Sequence, residues 1–184
     1  MSKKVLVPIA DGCEEIETAC IVDVLRRAEA DVTVASVGEL QVTASRGMKL
    51  VADKLISECV NDPYDLIVLP GGMPGAENLC NSKELVEMLK RQQQEEKLYA
   101  AICASPAVVL NHHGLLAQRK ATAYPGFAEQ FENTEAIDSR VVVDGNCITS
   151  RGPGTAMEFA LKLVEILYGE QKATEIAQAM LVIS

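Results

Sequence analysis

The sequence predicts an α/β fold, a three-layer sandwich in which a mainly parallel sheet carries helices on both faces. Short apolar runs of β type at 4–9, 31–37, 65–69, 98–102, 120–124, 140–143 and 147–149 alternate with helical patterns at 14–28, 82–96, 104–111 and 155–168. That alternation is the signature of strand-helix-strand units. Near-continuous apolarity in Leu66-Ile67-Val68-Leu69 and in Ala100-Ala101-Ile102 marks strands buried on both faces, as a parallel sheet requires. The 184 residues, 48% of them hydrophobic, read as one domain over 1–184 with a proper core.

Each element has its own reason. Basic residues precede the apolar run at 4–9, but that run is shorter than a signal-peptide core and acidic Asp11, Glu14 and Glu15 follow at once, so it reads as a first strand. In 14–28, Ile16, Cys20, Ile21, Val24 and Leu25 form an apolar stripe, with Glu14, Glu17, Asp23, Arg26 and Arg27 mostly off it. The run 98–102 changes abruptly at Cys103 into the helical pattern Ala104 to Leu110. Asp144-Gly145 turns the late hairpin. Residues 171–184 read as a terminal helix and an apolar tail that needs a surface to cover it, in cis or across a subunit boundary.

Composition excludes several functions. No apolar run approaches the ~20 residues needed to cross a bilayer. A net charge of −9, without clustered Lys, Arg and aromatics, disfavours direct nucleic-acid binding. Six scattered cysteines without C-x-x-C pairs fit reduced thiols in a cytoplasmic setting. The two histidines, His112 and His113, are too few and too badly placed for a zinc site with those cysteines, so no metal is expected. No dinucleotide or P-loop glycine pattern occurs, which sets aside NAD, FAD and ATP.

In a parallel sheet, functional groups gather where the carboxyl ends of strands feed loops. Four segments qualify: 11–17, 70–75, 103–106 and 150–155. Cys103 stands at a helix start, where unpartnered N–H groups and the helix dipole stabilise a thiolate, so its pKa is expected to fall. Gly71-Gly72 can turn tightly and expose N–H groups beside it, although a plain turn explains the dipeptide equally. Of the glutamates opening the first helix, Glu17 can tilt inward toward neighbouring strand ends, whereas Glu15 points elsewhere. A carboxyl beside a thiolate should have a raised pKa and donate its proton to sulfur. Ser105 and Pro106 fit a first helical turn. Arg26, Arg27 and Arg46 are candidates for recognising a substrate carboxylate or for interface ion pairs. The histidines close the helix begun at Cys103, too far away to serve as its base.

Taken together, Asp11 to Glu17, Val22 to Arg27, Ser45-Arg46-Gly47, Tyr64 to Gly72, Ala100 to Ala104 and Thr149 to Thr155 closely resemble the ThiJ/PfpI superfamily. The branch is that of the Parkinson-disease protein deglycase and its bacterial ThiJ-type relatives, and the match spans the chain. The resemblance implies a flavodoxin-like fold and a homodimer with the first helix and Arg26, Arg27 and Arg46 near its interface. It also implies Cys103 as a nucleophile at a strained elbow, Glu17 as its protonated partner, and Gly72 and Ala104 as oxyanion-type donors. Many animal relatives carry a histidine where this chain has Tyr124, which could bond substrate but is a poor base at neutral pH. The protease-like branch has histidine directly after the cysteine, where this chain has Ala104. The expected function is a cofactor-free glyoxalase or deglycase acting on a small aldehyde or a glycated protein. A redox sensor or chaperone working through oxidised Cys103, and a noncatalytic dimer, are the other readings.

Overall fold

In the computed structural model, which describes residues 2–182, the alternating runs become one seven-stranded sheet and a small hairpin. The elements are β1 (Lys4–Ile9), α1 (Glu15–Arg27), β2 (Asp31–Ser36), β3 (Gln41–Thr43), β4 (Lys49–Val51), β5 (Lys54–Leu55), β6 (Leu66–Leu69), α2 (Gly75–Cys80) and α3 (Lys83–Gln94). They continue with β7 (Leu98–Ile102), a π-helical turn over Pro106–Asn111, β8 (Val141–Asp144), β9 (Cys147–Ser150), α4 (Ala156–Tyr168) and α5 (Glu170–Ala179). The sheet order is β5-β2-β1-β6-β7-β9-β8, parallel except for the β8/β9 hairpin.

Period-two alternation divides the strands between two cores. Val5, Val7, Ile9, Leu66, Val68 and Ile102 pack with Ile21, Val24 and Leu25 of α1 and Phe159 and Leu163 of α4. Leu6, Ile67, Leu69, Tyr99 and Ala101 face Leu79 of α2, Leu85 and Met88 of α3, and Leu110. The three-layer, flavodoxin-like α/β fold follows. Chain direction across the sheet reverses between β1 and β6, the crevice where such folds place their sites.

Three expectations are corrected. Residues 120–124 join no strand ladder, because β7 is already flanked by β6 and β9, and β9 by β7 and β8. Single bonds hold this segment instead: Thr122 N–H donates to Thr149 Oγ1 at 2.9 Å and Tyr124 N–H to the Cys103 carbonyl at 2.9 Å. Ile16 lies outside the buried stripe and is 54% exposed, since turning Glu17 inward rotates its neighbour outward by about 100°. The helix expected over 104–111 is wound largely as a π-helix, a form common at functional sites.

The terminal helix forms as α5, with Leu181 and Val182 exposed beyond it, while the last two residues of the expected tail lie outside the described residues. No helix among the described residues is long and apolar enough to cross a membrane.

Candidate active site

The sheet order brings together the residues that follow β1, β6 and β7. Cys103 adopts φ +65°, a left-handed conformation that is strained for a side chain with a Cβ. The strand-like bond from its N–H to the Ser150 carbonyl, at 3.0 Å, holds it there. The following turn is tied to the β6 loop by Ser105, whose hydroxyl donates to the Pro70 carbonyl at 2.6 Å. Cys103 is thereby 9% exposed, covered yet reachable.

Glu17 approaches from the first turn of α1 and is fully buried. Glu14 caps that helix, its Oε2 accepting from the Glu17 N–H at 2.8 Å, and so fixes the turn that aims Glu17 inward. Glu17 Oε2 accepts from the Gly71 N–H at 2.7 Å, while buried Oε1 lacks a hydrogen-bond partner of good geometry. The side-chain neighbour that bears on the proton affinity of this carboxyl by hydrogen bonding is the Cys103 thiol. Glu15 points away, as expected, and anchors the β3–β4 hairpin through Ser45 Oγ at 3.0 Å and the Arg46 N–H at 2.9 Å.

Gly71 is required by proximity. A Cβ there would stand 2.5 Å from Cys103 Cβ and 2.9 Å from Glu17 Oε2. Gly71→Ala is therefore expected to cost about 1–3 kcal/mol, the usual range for overpacking, measured as a lower urea midpoint at unchanged m-value. Gly72, at φ +89°, is boxed in by the Glu14 N–H and the Gly12 carbonyl, each 2.5 Å from where a Cβ would sit. The Gly72 and Ala104 N–H groups face the sulfur and favour its charged form.

The electrostatics correct the expectation of a simply acidified thiol. Burial, then the Glu17 carboxylate, push Cys103 up to about 12 against the help of the two amides. Burial likewise raises Glu17 to about 7, as expected for a carboxyl in this place. Two protons are held below about 7, one between about 7 and about 12, and none above. Above about 7 the pair carries one proton, held on sulfur, and one negative charge on Glu17.

Tyr124 sits at the rim, 48% exposed, with its ring against Gly152 and its N–H on the Cys103 carbonyl. The arginines serve elsewhere. Arg26 pairs with Asp53 at 3.1 Å, Arg27 with Asp23 at 2.7 Å, and Arg46 is exposed on the hairpin.

The histidines, expected to be too few and too badly placed for a zinc site with the cysteines, nevertheless meet one of them. His113 Nε2 lies 3.4 Å from Cys80 Sγ. The signal was topological: α2 and the elbow helix start from adjacent strands, β6 and β7, and run side by side, so their ends meet.

Comparison with known proteins agrees with this architecture. The family model described as the DJ-1/PfpI family matches residues 3–166. "Protein DJ-1 homolog B" of Arabidopsis thaliana is 54% identical over 180 residues, 97% of this chain, although the chain spans only 41% of that longer protein. "Glutathione-independent glyoxalase DJR-1.2" of Caenorhabditis elegans is 37% identical over 97% of this chain and 95% of its own length. Among solved structures, "Toxoplasma gondii DJ-1, oxidized" superposes with a TM-score of 0.95 at 52% identity, covering 98% of both chains. A buried glutamate, a strained cysteine and a glycine loop on this sheet, together with these similarities, place the chain in the DJ-1/PfpI family.

Proposed function

We propose that the chain is a cofactor-free, cysteine-dependent aldehyde enzyme that acts on methylglyoxal, glyoxal or early glycation adducts. The observation that carries this reading is the fully buried Glu17 carboxyl, whose proton affinity is coupled to the Cys103 thiol and whose Oε1 has no hydrogen-bond partner. The Glu17 carboxylate takes the thiol proton as the sulfur attacks, and the Gly72 and Ala104 amides hold the sulfur's charge.

The thiolate adds to the aldehyde carbon of methylglyoxal, and the carbonyl oxygen takes up the Glu17 proton to give a hemithioacetal. The Glu17 carboxylate then removes the proton from that carbon and returns it to the adjacent one, while the hydroxyl proton passes to the neighbouring oxygen through an enediol, leaving a lactoyl thioester. Water hydrolyses the thioester, releasing lactate and the free thiol. Glyoxal gives glycolate by the same route. A carboxyl titrating near about 7 suits proton transfer in both directions. Tyr124, held to the elbow through its own N–H, is the residue we assign to bonding the second carbonyl of the substrate.

The nematode relative's name as a glutathione-independent glyoxalase supports the reading. Its test is lactate production from methylglyoxal by the reduced protein and by Cys103→Ser. Turnover by the parent alone is expected, and equal background in both would remove the proposal.

A second reading, a redox sensor, is favoured by the similarity to a solved protein described as oxidized. Peroxide would convert the Cys103 thiolate to sulfenic or sulfinic acid, whose oxygen can accept the Glu17 proton. Intact-mass analysis during peroxide titration is expected to show oxygen added first at Cys103. Random addition among the six cysteines would count against a sensor.

Ile16 at 54%, Met48 at 55% and Val51 at 69% exposure lie on α1 and the hairpin, which Glu15 ties together. We propose that a second copy covers this apolar surface as a homodimer.

A further inference from the structure

We propose that Cys80, His112 and His113 form a binding site for a thiophilic divalent cation, zinc foremost, at the end of the elbow helix remote from Cys103. Both histidines of the chain converge on one cysteine there, and one ligand atom from each of the three residues lies within 4.8 Å of the others. The Cys80 Sγ to His113 Nε2 distance is 3.4 Å. Tetrahedral zinc, with Zn–S of about 2.3 Å and Zn–N of about 2.0–2.1 Å, holds its sulfur and nitrogen about 3.5 Å apart. The imidazoles stand nearly perpendicular, at 84° with centroids 4.8 Å apart, so their nitrogens can address a common point from different directions. His112 is exposed, and its rotation closes the remaining gap.

The backbone makes this convergence. Cys80 is the last residue of α2, and the π-helical turn ends at Asn111, with His112 N–H bonded back five residues to the Ala107 carbonyl at 3.3 Å. The wide turn lets two successive residues, His112 and His113, both reach Cys80. A groove of about 490 Å³ bordered by Glu77, Cys80, Asn81, Asn111 and His112 opens the place to solvent. Glu77, one helical turn before Cys80, acts electrostatically on its thiol and borders the same groove, from which water would complete the coordination.

Without metal, His113 Nε2 also lies 3.0 Å from the Cys80 carbonyl, to which its N–H can donate. Binding moves that proton to Nδ1 and releases the thiol proton to solvent, leaving a thiolate and two neutral imidazoles on the cation. The metal would staple α2 to the elbow helix, whose beginnings carry Gly72 and Cys103.

The test is zinc titration of the reduced, metal-free protein against a chromophoric chelator, with cobalt(II) as a spectroscopic substitute. It is run on the parent, Cys80→Ser, His112→Asn, His113→Asn and Cys103→Ser, each first matched to the parent by circular dichroism. One tight equivalent is expected in the parent and in Cys103→Ser, with thiolate-to-cobalt absorption and a raised Tm. Each of the other three variants is expected to bind at least about tenfold more weakly, and Cys80→Ser to lose the thiolate band. The proposal is overturned if Cys80→Ser binds as the parent does, if the tight site vanishes with Cys103→Ser, or if no tight equivalent is found.

Discussion

Replacing Cys103 with serine is expected to lower methylglyoxal turnover by roughly a thousandfold or more, the order of loss when a covalent nucleophile is removed. The reason lies in the pair. Glu17, at about 7, can share the proton of a thiol, but a serine hydroxyl is far too weak an acid to pass its proton to that carboxylate. Serine keeps the size and leaves the Glu17–Gly71 bond of 2.7 Å intact. Unfolding midpoint and lactate formation should therefore separate: the first nearly unchanged, the second at background. Retained turnover would place the nucleophile elsewhere.

Glu17→Gln carries the second large effect, in two readouts. Gln keeps an acceptor for the Gly71 N–H but cannot exchange protons, so turnover is expected to fall by about 10²–10⁴-fold, the usual worth of a general acid or base. The parent's kcat/KM should rise with pH through about 7, and the variant should lose that limb.

Stability moves the other way. The folded value of about 7 lies above the ordinary 4.5, so the folded chain binds the Glu17 proton more tightly than the unfolded chain. That contribution is fully present below about 4.5 and is lost as pH rises through about 7. The loss amounts to about 3 kcal/mol, and Glu17→Gln avoids it. Denaturant unfolding should show the variant gaining on the parent across this window and staying ahead at alkaline pH. Parallel curves would remove the buried proton.

Much of this site was legible in the sequence because strand ends declare themselves. The change from apolar run to helical pattern at Cys103, and the glycines after β6, mark the places where backbone must turn. Glu17 was harder. Helical periodicity puts Ile16 on the apolar stripe and leaves Glu17 off it, and the protein does the reverse because Oε2 finds the Gly71 N–H. Transfer energy alone sends isoleucine inward, so only a hydrogen-bond partner brought from another strand decides the case.

The thiol's direction was misread for a related reason. A helix start argues for a lowered pKa, but the following turn is π-helical and the site is covered, so burial outweighs two amides. The run 120–124 reads as a strand by composition, yet strand status depends on an open edge, which a local pattern cannot report. The two- and three-residue strands β3, β4 and β5 are too short for any periodicity to register. Cys80 and the histidines, more than thirty residues apart, meet only because neighbouring strands launch parallel helices.

The most direct measurement of the coupling between Cys103 and Glu17 is the ultraviolet absorbance of the thiolate against pH. It is followed in the parent and in Glu17→Gln, each with its Cys103→Ser counterpart subtracted to remove the other cysteines. With the Cys103 thiol held up by burial and then by the Glu17 carboxylate, the sulfur is predicted to ionise only at strongly alkaline pH in the parent and at lower pH in Glu17→Gln. A step at the same pH in both proteins would contradict it.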